Sequence, residues 1–220
     1  MTQAIRTIRL GGVNCYIVAA VDGFVLIDSG TPEKREALDT ELESAGCGPG
    51  TLRLIVLTHG DYDHAGNAAH LRDKYVTKIA MHPDDSGRVE RADWSWNLKP
   101  KPDKFGVLFR VVALFIRPGE FDTFEPDVLV EDQQSLRGYG LEATVLHLPG
   151  HTKGSIGILT AENSLFCGDL MDGIGRPSLE FFIDDMVAAT ASLRRLRSLG
   201  ADRIYPGHGK PFQFNRITES

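Results

Sequence analysis

The sequence predicts an α/β protein, and three observations carry that prediction. Short β-branched runs recur along the chain, each bounded by Gly, Asp or Pro. Stretches with helical spacing of apolar residues lie among them, the clearest over residues 183–199. Side chains capable of chemistry stand directly after several of the strand-like runs, where strands ending on one edge of a sheet bring their loops together.

Residues 5–10, 15–20 and 23–27 read as strands separated by Gly or Asp turns. Asp28-Ser29-Gly30 closes the third. Thr31-Pro32-Glu33 has the form of an N-cap, a proline at the first helical position and an acid in the first turn, so a helix should run to about Ala45 and stop at Gly46. Residues 52–57 form a buried strand, 65–74 a helix and 78–81 a short strand. The stretch 84–126 contains Trp94, Trp96, three prolines between Pro100 and Pro118 and an apolar run over 107–116, and it yields no clear element. Strand signals return at 128–130, 141–146, 155–160 and 164–167. Residues 183–199 should be a helix with Met186, Val187, Leu193 and Leu196 on one side and Gly200 as its stop, and 203–205 a last strand. No repeat, low-complexity run or linker interrupts the pattern. One domain over 1–220 is expected, with 84–126 as a variable, substrate-shaping insert.

The chain has 220 residues, 42% apolar and 25% charged, enough for one substantial core. Its net charge of −6 comes without a basic run or stripe, which argues against nucleic acid as a partner. Residues 1–10 carry Arg6 and Arg9 and lack the apolar stretch of an export signal. Residues 107–116, broken by Arg110, are too short to span a bilayer, so no membrane role is expected. Cys15, Cys47 and Cys167 are too few and too scattered for a disulfide framework. Buried free thiols and a cytoplasmic location follow as expectations.

The most informative stretch is His59-Gly60-Asp61-Tyr62-Asp63-His64, directly after the apolar run Leu54-Ile55-Val56-Leu57. Two imidazoles and two carboxylates in so short a span would repel or waste hydration unless a cation held them. A polar loop is the bland alternative, and three further candidates in the same strand-to-loop context outweigh it. These are His151 in Pro149-Gly150-His151, Asp169 in Gly168-Asp169 and His208 in Pro206-Gly207-His208. Each follows a glycine, which allows a tight approach. Seven ligand candidates could thus share one pocket as a dinuclear centre. His70, His82 and His147 lack the context and read as surface or supporting groups. Gly-x-Ser-x-Gly, Walker and Gly-x-Gly-x-x-Gly motifs are missing from the sequence.

With these five elements in this order, the chain resembles the metallo-β-lactamase fold superfamily from Asp28-Ser29-Gly30 to Pro206-Gly207-His208-Gly209. The resemblance implies a four-layer αββα sandwich with two divalent metals at one edge of its two sheets. His59, Asp61 and His151 would hold one metal, Asp63, His64 and His208 the other, and Asp169 would bridge them. Asp63 would be the catalytic carboxylate, orienting a metal-activated hydroxide or shuttling its proton. Asp28 would lie beneath the site and accept a hydrogen bond from a ligand histidine.

One position departs from the family motif His-x-His-x-Asp-His: Asp61 stands where the second histidine is usual. Zinc is the expected metal, but a carboxylate there also suits iron or manganese. Counting charge, two divalent metals bring four positive charges, and Asp61, Asp63, Asp169 and a bridging hydroxide cancel them. A histidine at 61 would leave one positive charge. On that count Asp61 makes the centre a weaker Lewis acid.

The implied activity is metal-dependent hydrolysis of a small ester, lactone or thioester. Glyoxalase-II-like hydrolysis ranks lower, because that family carries an added C-terminal helical region and twelve residues follow His208 here. The alternative of another class is a di-iron redox protein reducing O2 or NO with a separate electron donor. A metal-stabilised binding protein without catalysis is a third. Trp94, Trp96, Phe105, Phe109, Phe115, Phe181 and Phe182 could line an apolar cleft, with core packing as the competing reading. The run 107–116 could be a lid or the face of a homodimer.

Overall fold

The computed structural model describes residues 3–93, 95–97 and 121–217. The first sheet contains β1 (Ile5–Leu10), β2 (Val13–Ala20), β3 (Gly23–Ile27), β4 (Leu52–Val56), β5 (Ile79–Met81) and β6 (Val128–Leu129), side by side in that order. Its first three strands pair antiparallel and the rest parallel. The second sheet contains β7 (Ala143–His147), β8 (Ile156–Thr160) and β9 (Ser164–Gly168). A small hairpin, β10 (Met171–Asp172) and β11 (Ser178–Leu179), precedes its last strands, β12 (Arg203–Pro206) and β13 (Phe212–Gln213). The order in that sheet is β13-β12-β9-β8-β7.

Five α-helices lie among the described residues: α1 (Arg35–Ser44), α2 (Tyr62–Ala65), α3 (Ala68–Tyr75), α4 (Pro83–Arg91) and α5 (Met186–Ser198). Period-two alternation along the strands sorts the apolar side chains into three cores, and three cores make four layers. Cys15, Ile17, Leu26, Ile55 and Leu57 face Leu38 and Leu42 of α1 and Leu71 of α3. Their neighbours Tyr16, Val18, Val25, Ile27, Leu54 and Val56 face Val145, Ile156, Ile158 and Phe166 of the second sheet. On the far side of that sheet, Leu146, Leu165, Cys167 and Ile204 pack on Ala189, Leu193 and Leu196 of α5. The architecture is the αββα sandwich. Cys15, Cys47 and Cys167 are all buried free thiols.

Several elements differ from the sequence reading. The helix expected over 65–74 is split into α2 and α3 at Gly66-Asn67. Buried Asn67 donates its side-chain amide to the carbonyls of Ser29 and Thr31, both at 2.8 Å, and that tie competes with a continuous helix. A helix, α4, occupies the start of the stretch that yielded none. His82 caps it, Pro83 opens it, Asp84 and Asp85 fill its first turn and Arg88 and Arg91 its last. The helix expected over 183–199 begins only at Met186, because Asp185 accepts from the amides of Val187 and Ala188 as its N-cap. Its inward face is also corrected. Ala189, Ser192, Leu193 and Leu196 are buried, whereas Met186 and Val187 are 54% and 81% exposed. The strand taken as the last is followed by β13. Trp94, Phe105, Phe109, Phe115 and the run 107–116, with its lid and dimer-face readings, lie outside the described residues.

Candidate metal centre

Five strands end at one edge of the sandwich and deliver the predicted residues there. Asp28 follows β3, His59 to His64 follow β4, His151 comes four residues after β7, and Asp169 and His208 follow β9 and β12 closely. Bonds between the sheets fix the edge. The amide of Ile156 donates to Thr58 O at 2.8 Å, and that of Asn14 to Gly207 O at 2.8 Å. Tyr16 Oη reaches Pro206 O at 2.5 Å. Gly207 is required by proximity, because a Cβ there would stand 2.1 Å from Asp169 Oδ1.

All four histidines of the cluster have their Nδ1 beside an oxygen. For His59 it is Thr58 Oγ1 at 3.0 Å, and for His64 it is Asp28 Oδ2 at 2.9 Å. For His151 it is Phe182 O at 2.8 Å, and for His208 it is Gly12 O at 3.0 Å. Thr58 Oγ1 donates to Asp28, so it accepts from His59. Each ring therefore carries a proton on Nδ1 and turns its Nε2 inward, the nitrogen that a neutral imidazole presents to a metal once any proton on it is displaced.

The inward atoms form two groups around Asp169. His59, Asp61 and His151 offer ligand atoms that all lie within 4.8 Å of one another, and so do Asp63, His64 and His208. Asp169 Oδ1 is 3.3 Å from His64 Nε2, while its Oδ2 is 3.1 Å from His208 Nε2 and 3.9 Å from both His59 and His151 Nε2. Asp61 Oδ2 is 3.1 Å from His151 Nε2 and 3.7 Å from His59 Nε2. Asp63 Oδ2 is 3.4 Å from His208 Nε2. His59 Nε2, His64 Nε2 and Asp169 Oδ1 are buried with no hydrogen-bond partner, an arrangement that costs energy unless a cation satisfies it. Donor set and geometry thus fit a pair of metal ions.

The charges have been arranged to the same end. Burial and the neighbouring His64 and His151 hold the His59 imidazole down to about 4. Burial opposes protonation of His151 and His208, but Asp61 and Asp169 lift His151 to about 9, and Asp169 with Asp63 lifts His208 to about 10. Burial opposes ionisation of Asp61, yet the hydrogen bond from His151 and the charges of His59 and Arg88 hold its carboxyl well below the usual range.

The sequence reading missed two residues here, both on α4. Buried Arg88 pairs through Nη1 with Asp61 Oδ1. Buried Asp85 accepts from Gly60 N at 3.0 Å, Thr152 Oγ1 at 2.7 Å and Gly154 N at 2.9 Å, joining the loops that carry His59 and His151. The available signal was Asp85-x-x-Arg88 in a stretch opened by His82-Pro83, a helical pair spacing in a segment read as structureless. Arg88 also corrects the charge count, because a fixed positive charge sits against the carboxylate held responsible for weakening the centre.

His82 and His147 form a third grouping, with Asp84. His82 is buried rather than on the surface, and its ring stacks on His147 at 4.1 Å and 6°. Parallel planes do not aim two lone pairs at one point, His82 Nδ1 accepts from Asp84 N, and Asp84 pairs with Lys153 at 2.9 Å. His70 lies 3.1 Å from Asp39. Of the aromatic cleft candidates, Trp96 packs on α4 at Gly87 and Arg91, while Phe181 and Phe182 are 86% and 56% exposed. Tyr62 donates to Glu33.

Residues 8–208 match the metallo-beta-lactamase superfamily. The chain is 33% identical over 164 residues to the hydroxyacylglutathione hydrolase GloC of Haemophilus influenzae, covering 72% of this chain and 69% of that protein. It is 26% identical over 220 residues to the acyl-coenzyme A thioesterase MBLAC2 of Gallus gallus, covering 93% of this chain and 75% of the other. Among solved structures, TTHA1623 in a di-iron-bound form superposes with a TM-score of 0.68 at 28% identity, over 97% of this chain and 96% of that one. The chain belongs to the metallo-beta-lactamase superfamily, as a metal-dependent hydrolase.

Proposed function

We propose that the protein hydrolyses a small acyl thioester, within the wider class of esters, lactones and thioesters, using two divalent metal ions. The observation that carries this reading is the convergence of four inward Nε2 atoms on Asp61, Asp63 and Asp169, in the two groups already described. His59, Asp61 and His151 would hold one ion, Asp63, His64 and His208 the other, and Asp169 would touch both. Ions held there supply Lewis acidity toward an acyl carbonyl.

The remaining roles fall to the chain itself. Asp63 has about a third of its side chain exposed and its carboxylate beside His208, so it can take a proton at the open side of the cluster and deliver it to a leaving thiolate. Exposed apolar side chains adjoin both groups. Phe182 supplies the carbonyl that orients His151, Phe181 packs edge-on against it, and Ile174 follows Gly173, whose amide donates to His208 O. An apolar rim at a polar centre suits an acyl chain. The thioester preference draws on the two hydrolase relatives, whose names describe hydroxyacylglutathione and acyl-coenzyme A cleavage.

The test has two stages. Elemental analysis of protein purified without chelator should find about two zinc or manganese ions per chain. A thiol-release assay across acyl-glutathione and acyl-coenzyme A substrates, run beside lactones and oxygen esters, should then give its highest kcat/KM on thioesters. A lactone or oxygen ester turned over faster would overturn the substrate class. Asp61 and the di-iron-bound neighbour favour one second reading, a di-iron redox protein with a separate electron donor. About two iron ions per chain and O2 or NO consumption would select it.

A further inference from the structure

Among the described residues, Asp61 is the one acidic side chain of the cluster with a fixed cation against it. Arg88 is 3% exposed, and its Nη1 pairs with Asp61 Oδ1. The second oxygen of the same carboxylate, Oδ2, points the other way, 3.1 Å from His151 Nε2 and 3.7 Å from His59 Nε2. Three features hold Arg88 in this place. It is on the last turn of α4, whose Asp85 is tied to the loops of His59 and His151. Asp85 Oδ1 is 4.0 Å from Arg88 Nε, close enough to attract and too far to replace Asp61. Gly60 leaves the room, because a Cβ there would stand 2.7 Å from Arg88 Cβ and 3.0 Å from its Cδ.

We propose that Arg88 is the positioning residue that makes a carboxylate workable at position 61. It occupies one oxygen, so that Asp61 offers the metal a single oxygen in a set orientation, and it cancels the charge that the carboxylate adds. With neutral histidines, Asp61, Asp63 and Asp169 contribute three negative charges, and Arg88 reduces them to two. A neutral imidazole at 61 with no arginine would give the same two, from Asp63 and Asp169. Asp61 and Arg88 together are thus the electrostatic counterpart of one histidine, and the two residues depend on each other. A carboxylate without Arg88 leaves the site one negative charge richer than a histidine would, and Arg88 without the carboxylate places an unpaired buried cation beside a metal ion.

This inference rests on the reading that His59, Asp61 and His151 hold a metal, and the experiment separates the two. Zinc affinity is measured on metal-free protein by competition with a chromophoric chelator, with stoichiometry from elemental analysis. The set is wild type, Arg88→Met, Asp61→His, Asp61→His/Arg88→Met and His151→Ala. Arg88→Met and Asp61→His should each weaken one of the two sites about 10- to 100-fold, as loss of a ligand's partner does. The double variant should recover to within a few-fold of wild type, which a purely structural role for Arg88 would not produce. Should Arg88→Met fail to fold, comparing the double variant with Asp61→His alone carries the same test. Losses that simply multiply in the double variant, or wild-type affinity in Arg88→Met while His151→Ala loses a site, would overturn the proposal and leave the site reading standing. Unchanged affinity in His151→Ala would overturn both.

Discussion

The two halves of the cluster are built from the same kinds of ligand and supported in different ways. His64, Asp63 and His208 lean on the strand side of the molecule. His64 donates to Asp28, a carboxylate 1% exposed that also accepts from Thr58 N and Oγ1, and His208 donates to the carbonyl of Gly12 in the turn between β1 and β2. Asp61 and His151 lean on later, peripheral pieces, α4 through Arg88 and Asp85 and the segment before α5 through Phe182 O, while His59 shares the strand-side support through Thr58 and Asp28. One half is therefore anchored in the sandwich, and the other is completed by α4 and by the segment before α5. The lesson is that ligand identity and ligand support are separable. The unusual candidate ligand, Asp61, occurs in the half whose support is peripheral.

The largest effect should come from attacking the anchor. Asp28→Ala removes the acceptor of His64 and of Thr58, which in turn accepts from His59, so it reaches both halves at once. It should destabilise the metal-free protein by ~3–5 kcal/mol, as removal of one partner from a buried pair does, and abolish stoichiometric zinc binding. Urea unfolding and elemental analysis check both, and two zinc ions retained would mean that the halves do not share this support. Asp85→Ala should act on the peripheral half alone. It leaves the buried amides of Gly60 and Gly154 without an acceptor, at about 2–3 kcal/mol, and should reduce metal content to the Asp63–His64–His208 site. Loss of both ions would show that the halves are coupled through α4.

The pH dependence sharpens the comparison because the raised histidines are unevenly divided. Against the cost of burial, Asp169, Asp63 and Asp28 lift His64 well above its ordinary value in the half that also holds His208, and the values are about 9 for His151 and about 10 for His208. Both lie above the unfolded value of about 6.5, so in the metal-free protein their stabilisation is full below about 6.5 and is lost as pH rises through about 9 and 10. Metal must displace those protons, so zinc affinity should run the opposite way and rise between pH 7 and 9.5, by up to about tenfold per unit for each proton displaced. Chelator competition across that range measures it. A flat profile would mean that the histidines are already neutral before metal enters.

The smallest effect belongs to the rim. Phe181→Ala should raise KM for a long-chain acyl thioester about threefold, in line with the partial burial of an exposed ring. It should leave kcat on a short acyl substrate and the metal content unchanged. An equal effect on short and long chains would remove Phe181 from substrate contact.

Much of this molecule was legible because its information is local. Alternating apolar runs set strands such as β1, β3 and β8 close to where they lie, and the spacing from His59 to His64 after an apolar strand announces a metal site from within ten residues. His151, Asp169 and His208 share one local context, a glycine and then a ligand past a strand end, so all three could be found without knowing how the strands pack. What the tertiary structure alone decided is which distant group completes each ligand. Arg88 is 27 residues from Asp61, the Phe182 carbonyl 31 from His151, and the Gly12 carbonyl 196 from His208. A backbone carbonyl carries no side-chain signature, and an arginine in a helix reads as surface until a neighbouring loop closes over it. Packing brings those groups to the site, turns every Nε2 inward, and sets Arg88 against the carboxylate that the sequence count left without a cation of its own.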